Sequence, residues 1–563
     1  MTVNELLKRR VDAAMGRIPC DLLFKNGVFL DVFSGQWRPG EIGVIDGTII
    51  ALESGLKAHR EIDLKFKKMV PGFIDAHVHI ESSCLVPSNF ESVVLPKGTT
   101  TAICDPHELA NVCGLPGIEY FLSSASSMKM DLRVMLSSCV PATHMETNGG
   151  GTLACTDLSQ LQKHPKVLGL AEMMNVPGVV FNDPEVIKKL AHFSDQSIDG
   201  HCPLVRGREL SAYSSTGIST CHESSQLDEA QEKVTKGMKV WIREGSVAKD
   251  LKVLVPLLNA STCPSLGFCT DDRNPLDIAH EGHIDHLIRS AIKLGVPSEL
   301  AYRSASLSVA NHYGLDRGIY RKGAIAPGYA ADLVILGDEK SCEIVDVWVK
   351  GEKVNELTPS PNLLSTAYQT VKATVPESSD LMGPEGRVHV IGVMAGKIIT
   401  EREVGNSTDR GVARLSVLER YGKGSKPANG YVRGFGENFK GAIASSVGHD
   451  SHNLIVVGSD PKEMQVALGA LISNQGGFVV VQNQKVLAQL ALPIGGLMSQ
   501  ESPKSIEKSL LNLRNASRAV GCGLAEPFLQ LAFLSLPVIP SLKLTDKGLV
   551  DVEKFQIISV SAA

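Results

Sequence analysis

Residues 71–79 read Pro71-Gly72-Phe73-Ile74-Asp75-Ala76-His77-Val78-His79, an apolar run that ends in two histidines one residue apart. On an extended chain, side chains two residues apart point the same way, so both imidazoles can face one cation. Phe73–Ala76 is the first of eight β-like runs. The others are Thr101–Cys104, Arg133–Leu136, Val167–Leu170, Ser197–Gly200, Gly217–Thr220, Met238–Ile242 and Leu266–Cys269. Helix-like segments such as Pro184–Leu190 and Leu227–Val234 lie between most of them. Eight strand–helix units in about 250 residues is the size and texture of a (β/α)8 barrel. The expected fold class is α/β, a TIM-like barrel over residues 70–315, with a doubly wound sheet as the alternative.

Outward from the barrel, the texture changes. Leu22–Phe24, Gly43–Ile45 and Ile49–Ala51 precede it, and Ala331–Leu336 and Val345–Val349 follow it, all short strand-like runs among turns. They predict one small β-sandwich domain of antiparallel strands, residues 20–69 plus 316–357, interrupted by the barrel. A Pro/Ser-rich stretch, Thr358-Pro359-Ser360-Pro361, then leads to a third region, 374–563. It mixes strands (Arg387–Ile391, Phe478–Val481) with a helix (Pro461–Leu468) and is expected to form a C-terminal α/β domain.

The side chains able to bind metal fall at one kind of place. His77 and His79 follow the first run, Glu172 the fourth, His201 the fifth, His222 the sixth and Asp271 the eighth. In a closed barrel the carboxyl ends of the strands converge on one mouth, where active sites lie. Four imidazoles and two carboxylates suit Zn, Mn or Fe(II) without choosing among them. A carboxylate between two cations can bridge them, and Glu172 is the candidate. Two metals sharing a water can generate hydroxide near neutral pH. A single histidine beside a strand is more often merely packed; six such residues at the same strand ends are hard to assemble by chance.

Other polar residues sit at or near the same ends: Glu81, His107, Glu108, Glu223, Asp272, Glu281 and His283. They are read as residues that orient ligands or contact substrate, against the alternative of solvated loops and helix caps. His449 and His452 are read as serving the third region's own structure, with a reach into the pocket as the alternative.

Composition narrows the class. The chain has 563 residues, 43% apolar and 21% charged, with a net charge of −5. No Lys/Arg run supports a nucleic-acid or anionic-membrane surface. No apolar stretch is long enough for a transmembrane helix, and Met1–Arg10 lacks the apolar core of a secretory signal. The 12 cysteines contain no C-x-x-C pair and read as reduced, mostly buried thiols of a cytoplasmic protein. Homo-oligomerisation, as a homodimer first, is expected.

With these residues in view, residues 71–79 resemble the opening signature of the amidohydrolase superfamily. Gly323–Val334 resembles the segment where such chains leave the barrel for the small β domain. Glu81-Ser82-Ser83, Cys104–Glu108, Ala171–Met174, Asp199–Pro203, Cys221–Ser224, Cys269–Pro275 and His280–Asp285 together resemble the bacterial adenine deaminases. So do Val447–Asn453 and Leu536–Pro540 in the third region. The resemblance implies hydrolysis of adenine to hypoxanthine and ammonia, with two divalent metal ions per chain. Mn is the first choice, with Fe or Zn as the others. It implies His77, His79, Glu172, His201, His222 and Asp271 as the ligand set. Glu172 would stand where many relatives carry a carboxylated lysine.

The implied catalytic pair is Asp271 and Glu172, with Asp271 as general base and then acid. Two other readings stay open. One is a different amidohydrolase acting on a cyclic amide or nucleobase, of the dihydroorotase, hydantoinase or cytosine deaminase kind. The dihydroorotase and hydantoinase kinds generally carry lysine at the fourth-strand position. The other is a barrel that has lost catalysis and serves as a scaffold, which would usually have lost metal ligands.

Overall fold

In the computed structural model, residues 1–562 are described except 356, 358, 360–366 and 425. The expected linker Thr358-Pro359-Ser360-Pro361 therefore lies, apart from Pro359, outside the described residues.

Eight short strands between residues 73 and 269 carry the site. Phe73–Val78, Thr99–Cys104, Asp131–Leu136, Val167–Met173 and Ser197–Gly200 form a five-stranded parallel sheet in chain order. Thr220–Cys221, Lys239–Arg243 and Leu266–Cys269 form a three-stranded parallel sheet. Every residue of Phe73–Val78, Thr99–Cys104 and Leu266–Cys269 is buried. Parallel strands covered on both faces read as continuous apolar runs, which is why these stood out in the sequence. The two sheets also touch at both pairs of edges. Val78 bridges Asp271 in parallel register, and the Ser219 N–H donates to the Ile198 carbonyl at 3.0 Å.

The sixth run is displaced. A strand was expected at Gly217–Thr220, but the strand is Thr220–Cys221. Gly217 has φ +93°, so it belongs to the turn that ends the preceding helix, and pairing begins later. The helices between strands follow their amphipathic patterns. Ile284–Lys293 buries Ile284, Leu287, Ile288 and Ala291, the i, i+3, i+4, i+7 face. Asp183 caps Pro184–His192 by accepting from the N–H groups of Glu185 (3.0 Å) and Val186 (3.1 Å).

Strands on either side of this core join in one hydrogen-bonded sheet of eight strands. Lys68–Pro71 pairs antiparallel with Leu333–Asp338, with Pro71 opposite Leu333. The sequence reading expected antiparallel strands in a sandwich. Instead hydrogen bonding is continuous, and two pairings are parallel. The cause is the long strand Cys20–Asp31, whose two halves pair with Ala58–Asp63 and Lys68–Pro71 in turn, across an irregularity between Phe24 and Gly27.

The third region builds a second eight-stranded sheet, mostly antiparallel, from Arg387–Val393 through Lys485–Ala491. Helices Pro461–Ser473 and Pro503–Ala519 pack on it. A three-stranded sheet, Leu542–Thr545, Gly548–Asp551 and Gln556–Ile558, follows. Among the described residues no helix is long and apolar enough to cross a membrane.

Candidate metal centre

The metal-capable side chains sit at or just past the carboxyl ends of the strands: His77 and Glu172 in the last two residues of theirs, and His79, His201, His222 and Asp271 one or two residues beyond. Asp271 follows Leu266–Cys269 and has φ +53°, a left-handed conformation unusual for a residue with a side chain. Its N–H donates to the His77 carbonyl at 3.0 Å, and the His79 N–H donates to its carbonyl at 3.4 Å. These contacts fix the strained turn beside the two histidines. Asp75 supports it from behind by accepting from the Thr270 N–H at 3.1 Å and the His77 N–H at 3.3 Å. Strained backbone held by its surroundings is a recurrent property of active sites.

His77, His79, Glu172, His201, His222 and Asp271 are all buried and lie together. Nε2 of His77 is 3.0 Å from Nε2 of His79. Nδ1 of His79 is 3.0 Å from the Asp105 carbonyl, which can only accept, so the ring's proton sits on Nδ1 and Nε2 is free to bind. The His77 and His222 rings stack at 4.0 Å. Glu172 stands between two sets of histidines. Its Oε1 is 3.3 Å from His79 Nε2 and 3.4 Å from His107 Nδ1. Its Oε2 is 2.6 Å from His201 Nδ1 and 3.2 Å from His222 Nε2. Tyr213 ties the two strand ends that carry this contact. It accepts from the His201 N–H at 3.0 Å and donates to the Met173 carbonyl at 2.5 Å.

The donor set fits divalent cations. Ligand atoms of His77, His222 and Asp271 lie within 4.8 Å of one another, as do those of Glu172, His201 and His222, and of His79, Asp105, His107 and Glu172. Nε2 of His201 is buried with no hydrogen-bond partner, and two imidazole Nε2 atoms at 3.0 Å call for a proton or a cation between them. A group able to hold a metal ion is thus present, and its nitrogens and carboxylates do not select one ion.

Electrostatics keep both carboxylates ionised. Burial opposes ionisation of Glu172, but His201 and His222 hold its pKa well below the usual range. Burial likewise opposes ionisation of Asp271, yet the neighbouring His79 and the charge of Arg243 hold its pKa well below normal. Burial and the neighbouring His222 and His79 hold His77 well below the ordinary histidine value, neutral and able to bind a cation.

Arg243 was missed by the sequence reading. Its Nη1 donates to Asp271 Oδ2 at 2.8 Å and also to Glu223, and its Nη2 donates to Asp250 Oδ2 at 3.1 Å. It ends the seventh strand, so the strand-end rule that found the others would have found it. As a fixed positive charge it is not a metal ligand, and nothing in its own sequence neighbourhood marks it as a partner of Asp271.

The residues around the six differ in their fates. His107, Glu108, Glu223 and Asp272 line a cavity of about 310 Å³ with the metal-capable set. Asp272 accepts from the Ser82 hydroxyl. Glu81 turns away from that cavity and accepts from the Leu109 N–H at 3.1 Å. Glu281 is partly exposed, pairs with Arg273 at 2.7 Å and does not line that cavity. His283 is fully buried behind the cavity, 2.9 Å from the Thr99 hydroxyl and 3.2 Å from Asp75, the carboxylate that supports the His77 and Thr270 N–H groups. Of the two readings for His449 and His452, the reach into the pocket holds for His449. It lines the cavity and its Nδ1 is 2.5 Å from Glu108 Oε1, while His452 lies against the other oxygen of Glu108.

The rest of the lining is Asp450, 3.6 Å from His107 Nε2, and an apolar group: Met174, and Ile398, Phe533, Leu536 and Ile539 from the third region. The last two fall in the quoted stretch Leu536–Pro540, but no periodicity marked them.

The class follows from residues 69–354, which match the Amidohydrolase family. Residues 394–556 match the adenine deaminase C-terminal domain. An adenine deaminase from Sinorhizobium fredii is 47% identical, covering 99% of this chain and 100% of that one. One from Methylobacterium nodulans is 48% identical over 98% of this chain and 99% of its own. Adenine deaminase 1 of Rhizobium meliloti is 47% identical over 99% and 100%. The chain belongs to the adenine deaminase family.

Proposed function

We propose that this chain hydrolyses adenine to hypoxanthine and ammonia at a centre of two divalent cations, Mn first, with Fe or Zn as alternatives. The ligands would be His77, His79, Glu172, His201, His222 and Asp271. The observation that carries the reading is Glu172, whose two oxygens face two different sets of histidines, the position of a bridging carboxylate. Cations bound there supply Lewis acidity and bring the pKa of water toward neutrality.

The chain's own residues do the rest. Asp271 offers Oδ1 toward His77 and His79, while Arg243 holds Oδ2. Oδ1 takes the proton of the attacking water and returns one to the departing amine, so that ammonia leaves and the carbonyl of hypoxanthine remains. The apolar wall covers the purine ring and keeps bulk water off it. His107, Glu108 and Asp272 border the space where ring nitrogens would lie.

The same reading closes the two parallel sheets into one (β/α)8 barrel over residues 70–315, joined at Val78–Asp271 and Ser219–Ile198. The small β domain is 20–69 plus 316–357, and the C-terminal domain 374–563. Eleven buried cysteines, all free thiols, favour a reducing cytoplasm, and we expect a homodimer.

The test is Mn-loaded protein given adenine, with ammonia release as the readout and cytosine, dihydroorotate and adenosine as controls. Adenine alone should yield ammonia, about two metal equivalents should be needed, and a chelator should abolish it. Ammonia from cytosine alone would overturn the substrate, and activity without metal the centre.

A further inference from the structure

Lys543 is fully buried on the strand Leu542–Thr545, outside the metal-capable set. Among the described residues it pairs with no carboxylate. Its Nζ donates to two main-chain carbonyls, Ile398 at 2.9 Å and Phe533 at 2.8 Å. Burial alone pushes its pKa down to about 7. A lysine kept in such a place without a counter-charge needs a reason.

The reason lies in what the two carbonyls belong to. Ile398 stands just before the strand Thr400–Asn406, and Phe533 opens the short turn Phe533–Ser535. The two segments are far apart in sequence, yet their side chains line the cavity together. With Leu536, Ile539 and Val247 they form a separate apolar cluster. Thr400 reinforces the joint by donating from its hydroxyl to the Leu542 carbonyl at 2.8 Å. Phe533 in turn stacks on His449 at 4.6 Å, and His449 reaches Glu108. A wall set in one place by one lysine thus connects to the polar side of the site.

We propose that Lys543 is a positioning residue: by holding the carbonyls of Ile398 and Phe533 it fixes an apolar wall that limits the pocket to a bare nucleobase and excludes bases substituted at N9. The inference rests on the adenine reading. With C6 at the metal-capable set, the N3–N9 edge of the ring is the part farthest from it. The residues that remain to cover that edge are the apolar ones. Ile398, Phe533, Leu536 and Ile539 all line the cavity, so a substituent at N9 would have to displace this wall.

The test compares kcat/KM for adenine with that for 9-ethyladenine in the Mn-loaded full chain. The wild type should strongly prefer adenine. Lys543→Met leaves two buried carbonyls without their donor. It should raise KM for adenine about tenfold with a much smaller change in kcat, the signature of lost ground-state binding. It should also narrow the adenine preference about tenfold, the scale on which apolar pockets discriminate. Loss of folded protein lowers both activities equally and leaves their ratio unmoved, so the ratio separates positioning from mere stability. Lys543→Gln, which keeps N–H donors, should restore part of the preference. Ile398→Ala should narrow it with Lys543 intact. An unchanged ratio in Lys543→Met, or in Ile398→Ala if Lys543→Met gives no folded protein, overturns the inference. A wild type inactive toward adenine removes the substrate reading and this inference with it, whereas an active wild type with unaltered variants removes this inference only.

Discussion

The two sides of the cavity solve opposite problems. The strand-end side crowds four imidazoles, several carboxylates and Arg243 into a buried space, and each charge there has a partner of opposite sign. The third-region side sends His449 and Asp450 to the polar residues but is otherwise apolar, and behind it lies one buried lysine, Lys543, with only main-chain carbonyls for company. On the first side charge serves chemistry, and its neighbours set each protonation state. On the second, charge serves shape. The difference teaches that buried ionisable groups in one site need not belong to one machine.

Substitutions on the two sides should therefore fail differently. The largest effect is expected from Asp271→Asn. Asparagine tolerates the left-handed backbone at this position, so the chain should fold, but loss of the proton carrier should cost about 10²–10⁴ in kcat. Steady-state ammonia release checks it, and more than a tenth of wild-type turnover would refute the role. Next comes Arg243→Met, which strands Glu223, Asp250 and Asp271 as buried carboxylates without their shared cation. Breaking such a buried pairing costs about 3–5 kcal/mol, to be read from urea unfolding, and activity should fall with it.

A smaller effect tests the apolar side by pH. Burial depresses the folded pKa of Lys543 from the ordinary lysine range to about 7. A depressed lysine contributes its full stability above the unfolded value, and that contribution is lost as pH falls toward the folded one. Wild-type stability should thus climb between pH 7.5 and 9.5 more steeply than that of Lys543→Met, by at most about 1.4 kcal/mol per pH unit. Equal slopes would show that the ammonium is not desolvated. The smallest effect is assigned to Glu281→Gln: a partly exposed pair with Arg273 and Lys249 is worth about 0–1 kcal/mol, and kcat/KM for adenine should stay within about twofold. A tenfold loss would return Glu281 to the site.

The two sides also differed in how well the sequence announced them. Strand ends are legible because parallel strands buried on both faces leave apolar runs, and a histidine or carboxylate just after such a run stands out. His77, Glu172 and Asp271 are visible for that reason, and Arg243, which ends the seventh strand, occupies the same kind of position. Glu281 and His283 show that nearness to a strand end in sequence does not say which way a loop turns: one pairs with Arg273 outside the cavity, the other with Asp75 behind it. The wall was not legible. Ile398, Phe533 and Ile539 are ordinary apolar residues, and only the tertiary meeting of two distant segments gives them a role. The same holds for His449, whose ring is placed by contact with Glu108 and Phe533, and for the small sheet, where one long strand serves two neighbours.

The pairing of Lys68–Pro71 with Leu333–Asp338 has a consequence for how the molecule is made. The strand that opens the catalytic unit is stapled to the strand that follows it, so the early sheet waits, during synthesis, for everything between. Contacts of such long range are slow to form and expose edges meanwhile. A nascent chain halted before Leu333 would carry Lys68–Pro71 as a bare strand edge, and chaperone demand should peak there and drop once residues 333–338 emerge.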